Sequence, residues 1–177
     1  MRDIKEIKDF LSKDKIASRI KELAAKINTD YAGQELTMVG VLNGSFMFAA
    51  DLVRELTMPV QIEFMAASSY GEGVTSSGVV KINLDLKTNI EGKNVLLVED
   101  IVDTGLTITN LIDVLKTRKP KTLKLCSLLY KPARIKHPVI IDYLAFEIPD
   151  HFVVGYGLDF AGKYRELPFI GIYEGPV

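Results

Sequence analysis

A chain of 177 residues with 47% hydrophobic and 25% charged side chains has the composition of a folded globule and a length suited to one domain, 1–177, around one core. The formal net charge of −1 gives no bulk attraction for nucleic acid or an anionic membrane, so a small-molecule ligand is the expectation. No apolar stretch is long enough to cross a bilayer, MRDIKEIKDF carries no run resembling a signal peptide, and the single Cys126 cannot form an intramolecular disulfide; a cytoplasmic, reducing setting is expected.

Ile16, Ile20, Leu23, Ala24 and Ile27 recur at helical spacing and predict an amphipathic helix over 13–28, with Ser12 as N-cap and Asp14 in its positive first turn. LTMVGVLNGSFMFAADLVREL predicts a buried strand, a short Asn43-Gly44-Ser45 turn and a helix from near Phe46. After Pro59, VQIEFMAASSY predicts a strand and VVKINLDL an extended partner, joined by the glycine-rich GEGVTSSG as a long mobile hairpin tip. The apolar run 95–98 predicts another strand, and TITNLIDVLKTRK the helix after it, ended by Pro120. TLKLCSLLY, FVVGYGLD and FIGIY are further extended segments. Strands alternating with helices predict an α/β fold, a mainly parallel sheet flanked by helices, with ligands at the carboxyl ends of its strands.

The chemistry concentrates in VLLVEDIVDTGLTI, residues 95–108. A helix N-terminus behind a tight glycine turn offers free amides and the positive end of the helix dipole, so Thr104-Gly105-Leu106-Thr107 reads as a phosphate cradle. Gly105 would let the backbone approach the anion, and the Thr104 and Thr107 hydroxyls add donors. Carboxylates repel phosphate, so Glu99 and Asp100 fit either acceptors for sugar hydroxyls or ligands to a hard divalent cation. A phosphorylated sugar suits the whole array. Asp-Thr-Gly alone is a common turn; two adjacent acids, a third acid and Thr-Gly-x-Thr opening a helix are rarely assembled by folding needs alone.

VLLVEDIVDTGLT closely resembles the phosphoribosyl-pyrophosphate motif of type I phosphoribosyltransferases, and its acid pair followed by Asp-Thr-Gly resembles their 6-oxopurine branch, the hypoxanthine-guanine phosphoribosyltransferases. GVLNGS matches that family's pyrophosphate loop and SSYG the start of its lid. SLLYK carries its purine-contacting lysine, and FEIPDHFVVGYGLDFAGKYRELP is similar to its base-binding segment. Each match is short, but five occur in the family's order. The resemblance implies a type I phosphoribosyltransferase fold with a small hood and a flexible lid hairpin.

It also implies magnesium-dependent synthesis of IMP or GMP from hypoxanthine or guanine and 5-phosphoribosyl 1-pyrophosphate. Glu99 and Asp100 would then bind the ribose hydroxyls directly or through the metal, Thr104, Gly105, Leu106 and Thr107 the 5′-phosphate, and Asp103 would be the general base beside N7. Asn43, Gly44 and Arg165 would serve the pyrophosphate, and Asp159 would join Glu99 and Asp100 as a metal ligand. Phe152 would stack on the purine, main-chain groups of Val153 and Asp159 would read its edge, and Lys131 would donate to O6. Ser69 and Tyr70 would close over the pyrophosphate as the lid, and the chain would form homodimers or homotetramers.

Taken singly, Ser45 reads as an N-cap, Arg165 as a surface partner of Glu166 or another neighbour, and Phe152 as a core aromatic. The chain departs from the family's usual residues at Asn43, Leu106 and His151, and neither His137 nor His151 is assigned a metal or a catalytic role. Two rivals stand beside this reading. One is a nucleotide-sensing regulator on the same fold, disfavoured by the absence of a basic cluster; the other is an enzyme of the same fold that prefers xanthine.

Overall fold

A strand covered on both faces is written as a nearly unbroken apolar run, and two such runs, LTMVGVL and NVLLV, occupy the middle of the main sheet. The computed structural model describes residues 6–69 and 80–176. Among them, a six-stranded sheet has the order β4 (Val80–Leu84), β3 (Val60–Ser69), β2 (Leu36–Leu42), β5 (Asn94–Val102), β6 (Thr122–Tyr130) and β7 (Tyr143–Glu147). All neighbours run parallel except the β3–β4 hairpin. Thr37 is level with Val95 and Gly40 with Val98, so β2 and β5 deliver their carboxyl ends to the same edge.

Side-chain alternation sorts the central strands onto two faces. Leu36, Met38, Leu96 and Val98 pack beneath α1 (Lys13–Asp30) and α2 (Phe46–Arg54), whereas Val39, Val41, Val95 and Leu97 pack beneath α3 (Leu106–Thr117). The predicted apolar stripe of α1 is the buried one, and Ser12 Oγ accepts from Lys15 N at 3.3 Å as its N-cap. Ser45 stands at the N-cap position of α2 but makes no cap bond; its hydroxyl turns back to donate to Val41 O at 2.7 Å.

A second, smaller antiparallel sheet forms the hood: β1 (Ile7–Leu11), β9 (Ile170–Tyr173) and β8 (Val153–Val154), in the order β1-β9-β8. Strands β1 and β7 lie in segments the sequence pattern left unassigned. FVVGYGLD, expected to be extended throughout, is a strand only at Val153–Val154. Gly155, Tyr156 and Gly157 then turn the chain through the left-handed region, with φ of 97°, 51° and 101°. The β3–β4 hairpin forms as expected, but its predicted mobile tip, with Tyr70, lies outside the described residues, and Ser69 is the last residue of β3.

Candidate active site

The functional residues gather at the carboxyl edge of the sheet. Strand β5 runs apolar and buried to Val98, then brings Glu99, Asp100 and Asp103 to that edge. Gly105 follows with φ +84° as the N-cap of α3, and the first bond inside the helix runs from Thr109 N to Gly105 O at 3.0 Å. The amides of Gly105, Leu106, Thr107 and Ile108 therefore precede the helical ladder, as an anion site requires. Only a long 3.4 Å contact joins Leu106 N to Thr104 Oγ1. The turn is braced from below, because Thr104 O accepts from both Lys136 N and His137 N at 3.0 Å. A Cβ on Gly105 would stand 2.1 Å from His137 O. His137 thus contributes through its backbone, a role that side-chain patterns do not reveal.

The Asn43-Gly44-Ser45 turn lies beside this acid cluster, after a cis Leu42–Asn43 peptide. Gly44 approaches Asp100 so closely that a Cβ there would fall 1.6 Å from Oδ2. On its other side the hood arrives: a Cβ on Gly157 would lie 2.0 Å from Gly44 O. Arg165 Nη1 donates to Gly157 O at 2.6 Å, and Nη2 pairs with Asp159 Oδ1 at 2.7 Å. Arg165 therefore bridges Gly157 and Asp159 at the edge of the site. The hood is also tied to α2 by a short hydrogen bond from the Tyr156 hydroxyl to Asp51.

Electrostatics mark the acids as a strained cluster. Glu99 is 8% exposed and its Oε2 is buried with no hydrogen-bond partner. Burial first, and the neighbouring Asp100 charge second, push its carboxyl well above the ordinary range. Burial also raises Asp100 to about 6; backbone amides and Arg165 pull it down, and Asp159 pushes it up. A buried and a half-buried acid side by side, with an unpartnered oxygen, suit a hard cation or a set of sugar hydroxyls. Asp159 suits a cation less well, since Oδ1 faces Arg165 and Oδ2 accepts from Gly162 N at 2.8 Å. Among the described residues no three His, Cys, Asp or Glu converge to hold an ion by themselves.

Beside the acids opens a cavity of about 600 Å³ whose lining includes Asp100, Asp103, Lys131, Phe152, Val153 and Asp159. Asp103 and Lys131 come from adjacent strand ends, joined by the bond from Lys131 N to Val102 O at 3.0 Å. Lys131 is buried, whereas Phe152 is 41% exposed, too open for a core aromatic. Its ring is held edge-on by Phe160, 5.7 Å away, and by Tyr173, 6.1 Å away. An exposed aromatic so braced can stack on a flat ligand. Arg134 and Asp150, which the sequence pattern did not single out, line the same cavity. The signal available for them was position: Arg134 lies three residues beyond Lys131, and Asp150 two before Phe152. A separate groove of about 490 Å³ at the opposite edge of the sheet has its buried Asn94 satisfied by Gln34, Glu35 and Thr122 and gathers no comparable cluster.

A helix-start turn with amides ahead of the helical ladder, an adjacent pair of acids and a cavity with an exposed aromatic lie along one sheet edge, an arrangement that suits a phosphorylated sugar joined to a flat ring and so a nucleotide-forming transferase. The phosphoribosyl transferase domain matches residues 6–161, and the chain belongs to that family. It is 48% identical over 165 residues to the hypoxanthine phosphoribosyltransferase of Haemophilus influenzae, covering 92% of each chain. It is 42% identical over 175 residues to the hypoxanthine-guanine phosphoribosyltransferase of Bacillus subtilis, covering 99% of this chain and 96% of the other. Among solved structures it is similar to a hypoxanthine-guanine phosphoribosyltransferase from Bacillus anthracis, with TM-score 0.91, 49% identity, and coverage of 94% and 99%. It is also similar to a mutant hypoxanthine phosphoribosyltransferase from Trypanosoma cruzi in a ternary substrates complex, with TM-score 0.89, 46% identity and 94% coverage of each chain.

Proposed function

We propose that the chain is a purine-salvage transferase that joins N9 of hypoxanthine, or of guanine, to C1′ of 5-phosphoribosyl 1-pyrophosphate and releases pyrophosphate, giving IMP or GMP. The observation that carries this reading is the facing of Asp103 and Lys131 into one cavity of about 600 Å³ next to the Thr104–Thr107 amides. The names of the similar proteins support it. The amides of 105–108 and the Thr104 and Thr107 hydroxyls take the 5′-phosphate. Glu99 and Asp100 lie under the ribose, where negative charge stabilises an oxocarbenium-like transition state. Asp103 takes the N7 proton as the N9 lone pair bonds to C1′ and the pyrophosphate oxygen departs with the electrons of the broken bond. Gly44, Asn43 and Arg165 receive the pyrophosphate. Phe152 stacks on the purine, main-chain groups of Val153 and Asp159 read its edge, and the Lys131 ammonium donates to O6.

An ammonium has no acceptor capacity, so a 6-amino purine gains nothing there and adenine is rejected. Glu99 and Asp100 would hold magnesium, with Asp159 as a further ligand, and the ion would supply charge neutralisation for the pyrophosphate. Ser69 and Tyr70 serve as the lid that keeps water from the reacting ribose. The setting is cytoplasmic and the assembly a homodimer or homotetramer. No helix among the described residues is long and apolar enough to cross a membrane.

The deciding experiment is a magnesium-dependent assay with phosphoribosyl pyrophosphate and a panel of hypoxanthine, guanine, xanthine, adenine and uracil. Turnover of hypoxanthine or guanine with none of adenine or uracil is the expected result. Turnover of xanthine alone would replace the substrate assignment, and nucleotide binding without turnover would make the chain a sensor.

A further inference from the structure

Arg134 and Asp150 have no role in the scheme above, yet they connect the two residues that face the purine. Arg134 Nε lies 2.7 Å from Asp103 Oδ1, a charge contact set off the N–H axis and the compensation for an oxygen otherwise buried without a hydrogen bond. Arg134 Nη1 lies 3.5 Å from Asp150 Oδ1, and the same Asp150 oxygen lies 3.5 Å from Lys131 Nζ. Charge alternates along Asp103, Arg134, Asp150 and Lys131, and all four line one cavity. Lys131 needs such a neighbour, because its side chain is only 8% exposed and a buried ammonium without an anion is strongly disfavoured. The planar guanidinium can hold two acids at a fixed separation, which a lysine cannot.

Local structure sets this chain of charges in place. Pro132–Arg134 form a single 3-10 turn, with Arg134 N donating to Lys131 O at 3.1 Å, so the chain folds back over the end of β6. Asp150 arrives on the segment after β7, anchored where Ile148 N donates to Tyr130 O at 2.9 Å. The 3.5 Å contacts are longer than ordinary charged hydrogen bonds. They leave the Lys131 ammonium free to turn a proton toward a ligand.

On a 6-oxopurine, O6 and N7 are adjacent on one edge of the ring system, so their donor and acceptor must be held a set distance apart. We propose that Arg134 and Asp150 are positioning residues that fix this distance. Asp150 aims the Lys131 ammonium at O6, and Arg134 ties the Asp103 carboxylate to the same frame, so that recognition of the 6-oxo group and removal of the N7 proton occur in one geometry. This rests on the reading of Asp103 and Lys131 as the purine-facing pair.

The test is steady-state kinetics with magnesium, varying hypoxanthine and phosphoribosyl pyrophosphate in turn, on D150N, R134Q, R134K, K131A, D103N and the D150N/K131A double variant. D150N keeps the shape but not the charge, and should raise KM for hypoxanthine about tenfold while KM for phosphoribosyl pyrophosphate stays within about twofold. R134Q should lower kcat about tenfold at a nearly unchanged hypoxanthine KM, with R134K recovering part of the loss because charge returns without the fork. D150N should add little to K131A, since the two act as one unit. If D150N and R134Q match the wild type while K131A and D103N are impaired, the pairs are incidental and the proposal alone is overturned. Additive losses in the double variant, or an equal rise in KM for phosphoribosyl pyrophosphate, overturn it too. If K131A and D103N also match the wild type, the purine-site reading fails with it.

Discussion

Asp100 shows how a single residue can be costly to the fold and useful to the chemistry. It is pressed against Gly44, half-buried, and raised to about 6 chiefly by burial. An unfolded chain would hold the same carboxyl near the ordinary value of about 4. Between the two values the folded state binds a proton that the unfolded state lacks, so the stability attributable to Asp100 falls as pH rises through that window. The loss is roughly 3 kcal/mol by pH 7, an upper bound because Glu99 shares the local charge. Thermal melts of the metal-free protein in chelator, from about pH 4 to pH 7, should show wild type losing ground to Asp100→Asn as pH rises. A gap between the two that does not move with pH would refute the assignment. The gathering of the acids at the sheet edge was legible in the sequence, because two adjacent acids and a third ahead of Thr-Gly-x-Thr at the end of an apolar run are rarely assembled by folding needs alone. The Gly44 contact was not, since it arises only when β2 and β5 lie side by side, and neither were Arg134, which lies beyond SLLYK, and Asp150, which sits inside the base-binding segment without a pattern of its own to mark it.

The unit formed by β5, its turn and α3 carries the proposed anion site, and Gly105 is the residue on which its turn depends. The residue combines a left-handed backbone with a carbonyl packed where a Cβ would be, 2.1 Å from His137 O. Gly105→Ala should destabilise the protein by more than about 1 kcal/mol from conformation alone, with the collision adding to that. It should also raise KM for phosphoribosyl pyrophosphate far more than KM for hypoxanthine, because the proposed purine contacts other than Asp103 start from other elements. Melting curves and the two KM values check both halves, and equal effects on the two substrates would contradict the placement. Elements of this kind were readable in advance: α1, the β2–α2 unit, the β3–β4 hairpin and the β5–α3 unit each declare themselves by an apolar period and a turn residue. Strand β1 does not, since IKDFL mixes charged and apolar residues and acquires its pairing from β9 at the far end of the chain. The hood bend was hidden for a related reason. Val153 and Val154 suggest a longer strand, and the close packing of Gly155 on Phe169 O and of Gly157 on Gly44 O, both glycines in the left-handed region, goes with the early turn.

At the scale of the whole molecule, one outer surface is finished differently from the rest. Phe46, Ile62 and Phe64 are 38%, 45% and 37% exposed and surround a depression of about 290 Å³ that Met38, Ala49 and Val53 also line. Single exposed apolar residues are ordinary, but three around one hollow, with Arg54 beside them, have the makeup of an interface centre. A second copy of the chain is the proposed partner, in keeping with a homodimer or homotetramer. The patch also bears on the chemistry, since Phe46 opens α2 directly after the Asn43-Gly44-Ser45 turn. Covering it would steady that turn against Asp100 and the hood. Ile62→Lys places a charge on the most exposed of the three without touching the core beneath, so the subunit should keep its helical content while sedimenting as a smaller species at micromolar concentration. The same variant should bind phosphoribosyl pyrophosphate less tightly and leave the hypoxanthine KM nearly unchanged, because the Lys131 and Asp103 side of the cavity lies on other strands. A wild-type protein that sediments as a monomer would remove the interface, and a lysine variant that keeps its assembly would move the interface elsewhere on the surface.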